Sequence, residues 1–102
     1  MKEIKLLVED IREELEGAEH YAKLAAQYKT DDKALADTYA TMASQELNHV
    51  DMLHAQAVRL INEQRASGVV APASMQAVWD WEHELMVDKT AKIRALLDMY
   101  KR

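Results

Sequence analysis

Apolar residues recur along this chain at alternating steps of three and four, the signature of helices near a 3.5-residue period. The clearest run is Leu35, Tyr39, Met42, Glu46, His49, Leu53, Gln56 and Leu60. A second line lies beside it, Ala36, Ala40, Ala43, Leu47, Val50, His54, Ala57 and Ile61, so the apolar face is too broad for one partner helix. An earlier run, Ile4, Leu7, Ile11, Glu14, Ala18, Tyr21, Ala25 and Tyr28, repeats the pattern, widened by Val8, Leu15 and Ala22. A third places Trp79, His83, Met86, Thr90, Ile93, Leu97 and Tyr100 on one line, with Val78, Glu82, Leu85 and Leu96 beside it.

These runs predict three long helices, from about Lys2 to Tyr28, from just after Asp32 to about Ala66, and from the Pro72 turn to about Tyr100. Thr30, Asp31 and Asp32 offer an N-cap and negative charge where the second helix starts. Ser67-Gly68 supplies a glycine stop, and Pro72 suits the first turn of the third helix. Gly17 inside the first helix costs about 1 kcal/mol relative to Ala and is expected to mark close approach of another backbone. The fold expected is all-α: an antiparallel hairpin plus a third long helix, in a single domain over residues 1–102.

Composition narrows the chemistry. The chain has no Cys, which removes disulfides, thiolate metal sites, iron–sulfur clusters and Cys nucleophiles, so any metal must take carboxylate and imidazole ligands. A net charge of -5 disfavours nucleic acid and mildly favours cations. The first ten residues carry too short an apolar run for a signal peptide, and no stretch approaches membrane-spanning length, so a cytoplasmic location is the expectation. A chain of 102 residues gains from association, since its own core is small.

Two apolar lines are interrupted by ionisable groups. Glu46 and His49 sit three apart on one face of the second helix, and Glu14 interrupts the first. A carboxylate in an apolar stripe requires a partner, and a metal ion satisfies Glu and His together. With a rise of about 1.5 Å per residue and a turn near Asp31, Glu14 lies about 25 Å down the first helix. Glu46 and His49 lie about 22 and 27 Å down the second, so the three side chains come level. Glu16 comes roughly level too, but about 200° around the helix from Glu14. By chance alone roughly 0.4 Glu-x-x-His matches are expected in a chain with ten Glu and four His; the level Glu14 is what raises this one above that background. The competing reading is a metal-free polar layer that fixes register in a helical scaffold or interaction protein.

The third helix does not complete the centre, since Thr90 and Ile93 come opposite His49. Glu82, His83 and Glu84 come level with Gln56 or beyond, where His54 with one or more of them is a candidate second site, with packing as the alternative. His20 reads as a surface or interface histidine, and Trp79, Trp81 and the methionines as packing. Tyr21 and Tyr39 fall within about two turns of the ligands, in reach of a ligand carboxylate or as plain core tyrosines. A two-fold axis through the Glu14/Glu46/His49 layer of two hairpins would supply the other half, giving a four-helix bundle with two metals.

These residues resemble the ferritin-like superfamily, whose first helix carries a ligand Glu followed seven residues later by Tyr, here Glu14 and Tyr21. Its second carries Glu-x-x-His, here Glu46-Leu47-Asn48-His49. The similarity covers roughly residues 13–61. The chain departs from ferritins, bacterioferritins and rubrerythrins in lacking a second Glu-x-x-His, a fourth helix and a rubredoxin Cys set. In size and half-site it looks more like the encapsulated-ferritin group, whose subunits build ferroxidase centres across a dimer interface and form rings. The resemblance implies a non-haem di-iron protein in which Glu14, Glu46 and His49, repeated by a partner copy, bind Fe(II) for oxidation by O2 or peroxide. Manganese and zinc suit the same donors.

Overall fold

The computed structural model describes residues 2–102 and contains three helices. Helix α1 spans Lys2–Tyr28, α2 spans Lys33–Ala66 and α3 spans Ala73–Lys101, forming a rod 56 × 18 × 18 Å. No strand is found among the described residues, and no helix is long and apolar enough to cross a membrane.

Local chemistry sets the boundaries. The Asp32 carboxylate accepts from the Leu35 amide at 3.1 Å, satisfying one of the free N–H groups of the first turn of α2. At the other end Gly68 takes φ 84°, which only a residue without Cβ adopts cheaply, and the amides of Gly68 and Val69 return to the carbonyls of Arg65 and Gln64. Pro72 is the N-cap of α3, one position before its first turn, and its carbonyl accepts from Met75 and Gln76.

The α1–α2 contact is built from small residues. Ala18, Ala22, Ala25, Ala36, Ala43 and Ala57 are almost wholly buried, which lets the two backbones come close. Between them Ile11, Leu15, Leu47 and Val50 form the main core with Ile93 and Leu97 of α3. The seam order of α2 therefore differs from the expectation. The alanine-rich line is the core, whereas Leu35, Tyr39, Met42, Glu46, Leu53 and Leu60 are half-buried and His49 and Gln56 exposed. Small side chains win the central position because close approach of two long helices buries more backbone and Cβ surface than large side chains allow.

Helix α3 runs antiparallel to α2, as the pairs His83 with His54, Arg94 with Asp51 and Tyr100 with Asp37 show. Only its last third is buried, through Ile93, Leu97 and Tyr100. It leans mainly on α1, and its contact with α2 is thin, so α2 meets two helices very unequally. The packing role expected of Trp81 and several methionines is not met: Trp81, Met52, Met75 and Met99 are exposed, Trp81 and Met75 because the first two thirds of α3 bury no residue, and Met99 because it lies off the Ile93–Leu97–Tyr100 face. Trp79, Met42 and Met86 are half-buried, and Met1 lies outside the described residues.

The C-terminal end of α3 is held by a polar clamp. The Tyr100 hydroxyl donates to the Asp37 carboxylate, Lys33 Nζ donates to the same carboxylate at 2.7 Å, and both Lys29 and Lys33 lie over the Tyr100 ring. The hydrogen bond to Asp37, with burial, raises the Tyr100 phenol above its ordinary range, and Lys33 followed by Tyr100 lowers the Asp37 carboxyl.

Candidate metal centre

The turn at residues 29–32 sets the register of the hairpin, and that register brings Glu14 of α1 level with Glu46 and His49 of α2. Each of the three offers one ligand atom, and these atoms all lie within 4.8 Å of one another. No other group of three or more such residues converges among the described residues. His49 Nδ1 lies 3.3 Å from Glu14 Oε2. Two ligands on adjacent positions of an octahedral ion, each about 2.1 Å from it, are about 3.0 Å apart, and opposite ones about 4.2 Å. The His49–Glu14 pair at 3.3 Å is thus a few tenths of an ångström wider than two adjacent ligands of one ion, and Glu46 lies within 4.8 Å of both.

The centre sits on the rim of the hairpin. Glu14 and Glu46 are half-buried, while the His49 side chain keeps 50% of its surface exposed, a correction to the buried layer expected from the seam. The same rim carries Leu7, Tyr21 and Tyr28 on α1 and Tyr39, Met42 and Leu53 on α2, all half-exposed. Two carboxylates and a neutral imidazole give a net −2, suited to a hard or borderline divalent cation and poorly suited to Cu(I).

Gly17 lies three residues after Glu14, and a Cβ built on it would sit 3.4 Å from Glu46 Oε2. What approaches this glycine is the Glu46 side chain, rather than another backbone. A methyl fits here in ordinary contact, whereas a longer side chain would occupy the place of the carboxylate.

Tyr21 and Tyr39 stack on each other with centroids 5.9 Å apart, and Tyr28 extends the stack at 6.3 Å from Tyr39. Neither Tyr21 nor Tyr39 hydrogen-bonds Glu14, Glu46 or His49 among the described residues; both pack against the apolar core instead. His20 is exposed beside Tyr21, as expected. Glu16 is exposed and turned from the centre. Of the second candidate group, His54 and His83 come together with ring centroids 5.2 Å apart, Glu82 is taken by Arg12, and Glu84 is exposed. Sequence reasoning missed the Arg12–Glu82 pair and the Tyr100 clamp, neither of which has a local signal.

Comparison with protein-family models, curated proteins and solved structures finds no match.

Proposed function

We propose that this chain is a ferritin-like non-haem iron protein that binds Fe(II) through Glu14, Glu46 and His49 and oxidises it in a homodimer or a larger ring-like oligomer. The observation that carries the reading is the convergence of two carboxylates and one imidazole, from two helices, within a single ion's reach. In the dimer a two-fold axis through this layer pairs two hairpins into a four-helix bundle and brings two such half-sites face to face. The half-exposed apolar rim supports that arrangement, since a second copy would cover Leu7, Tyr21, Met42 and Leu53 together with the ligands.

Fe(II) is the substrate. Two Fe(II) each give up one electron, and peroxide with two protons becomes two waters, or O2 takes both electrons and becomes peroxide. In that dimer Glu46 would bridge the two half-sites, Glu14 would bind terminally, and His49 would donate a neutral ring nitrogen. Carboxylate ligands favour the ferric product over Fe(II) and so lower the cost of giving up the electron. Burial in the dimer strengthens these charge interactions by excluding water.

Anaerobic Fe(II) titration tests the proposal. Saturation near one iron per chain is expected, followed by a ferric absorbance on admitting air. No uptake, or uptake unchanged in the Glu46→Ala and His49→Ala variants, would leave the metal-free scaffold as the better account.

A further inference from the structure

His54 and His83 take no part in the carboxylate centre, yet α2 and α3 bring their rings to a centroid separation of 5.2 Å, tilted by 32°. Nε2 of His54 is shut off from solvent and has no hydrogen-bond partner among the described residues. A buried ring nitrogen is ordinarily paired, so one left open beside a second imidazole points to a missing partner. Burial first, and then the neighbouring His83, push the His54 imidazole below its ordinary value, which keeps it neutral with a lone pair to donate.

The separation falls within ordinary ring packing and also matches two imidazoles on one tetrahedral ion. A ligating ring nitrogen lies about 2.0–2.1 Å from a zinc-like ion, which puts each ring centroid about 3.2 Å from it, and a tetrahedral angle between two such rings separates the centroids by about 5.2 Å. A groove of about 480 Å³ borders both histidines, and a small outward shift of the thinly held α3 opens the closed Nε2 to an ion and its waters from that groove. Trp79 stacks on His83 with ring centroids 6.3 Å apart. Glu82 borders the same cavity but is engaged by Arg12.

We propose that His54 and His83 form a two-imidazole site, completed by water, for a divalent cation of the Zn(II)/Co(II) class. Imidazole-only ligation selects these ions over the harder cations that the carboxylate centre favours. The bound ion ties the loosely held part of α3 to α2, where direct contact is thin. The site is independent of Glu14, Glu46 and His49 and stands whether or not those residues bind iron.

The test uses Co(II) titration of the full chain carrying Glu46→Ala and His49→Ala, which disables the carboxylate centre. One Co(II) per chain is expected, with visible absorption of a low-coordinate site that Zn(II) bleaches by displacement. Adding His54→Leu or His83→Gln is expected to weaken uptake at least tenfold. An NMR titration of the unsubstituted chain with Zn(II) avoids any folding defect in those variants: ring signals of both His54 and His83 must shift together. Failure of the disabled variant to take up Co(II), uptake unchanged by His83→Gln, or Zn(II) shifts that leave either ring unmoved would overturn the proposal.

Discussion

His49 Nδ1 and Glu14 Oε2 lie 3.3 Å apart although 35 residues separate them in the chain. Glu14→Gln keeps the shape of that contact and removes its charge. Because the side chain is only partly buried, the change should alter folding stability by no more than about 0.5 kcal/mol. Divalent-metal affinity should fall at least tenfold, read by calorimetric titration with Mn(II) beside a thermal melt. Equal affinities in the two proteins would show that Glu14 is not a ligand.

Gly17 separates helix stability from ligand placement. Gly17→Ala puts a methyl 3.4 Å from Glu46 Oε2, an ordinary contact, while removing backbone freedom. It should raise stability by up to about 1 kcal/mol in denaturant unfolding. Gly17→Leu fills the place of the Glu46 carboxylate, so the helix persists by circular dichroism while metal uptake drops.

Ile93 joins α3 to the core of the hairpin and has no exposed surface. Ile93→Ala should cost about 2–5 kcal/mol in unfolding experiments. Trp81→Glu, on the open face of the same helix, should stay within about 0.5 kcal/mol.

His54 gives stability a pH dependence of known sign. Its folded value is depressed below the ordinary 6.5, so the unfolded chain binds a proton that the folded chain resists. Its contribution is complete above pH 6.5 and is lost as pH falls through the folded value. Metal-free melts from pH 8 down to pH 5 should decline more steeply for the unsubstituted chain than for His54→Leu.

Tyr100 behaves in the opposite sense. Its phenol is raised above 10.0 by the hydrogen bond to Asp37 and by burial, so its contribution is present below that value and is lost as pH rises through the folded one. Tyr100→Phe should lower the melting temperature at neutral pH and remove from an ultraviolet titration a tyrosine that ionises above the ordinary phenol value.

The helices were legible because their ends carry specific chemistry: Asp32 as a cap, Gly68 as a left-handed stop, Pro72 as a start. Which face of α2 forms the core was not. Both of its seams are apolar, and large residues such as Tyr39 and Met42 outweigh Ala36 and Ala43 in any hydrophobicity count. Helix-to-helix distance, which selects the alanines, is a property of the pair and is written in neither helix alone. Hairpin arithmetic placed Glu14 level with Glu46 and His49, since a rigid rise and one short turn determine depth. Exposure of His49 was beyond reach for the same reason as the seam order. Trp81 misled because hydrophobicity alone does not say whether a neighbour is present, and the Tyr100 clamp joins ends of α2 and α3 that no local pattern connects.

If Glu14, Glu46 and His49 share one iron, they meet their counterparts across a two-fold axis. Anomalous diffraction at the iron edge from a crystal grown with Fe(II) tests it most directly. Paired iron peaks related by that axis are expected, each within about 2.3 Å of ligand atoms from all three residues. Absence of a peak there in a crystal holding iron elsewhere, or Glu14 turned to solvent with Glu46 and His49 unliganded, would contradict it.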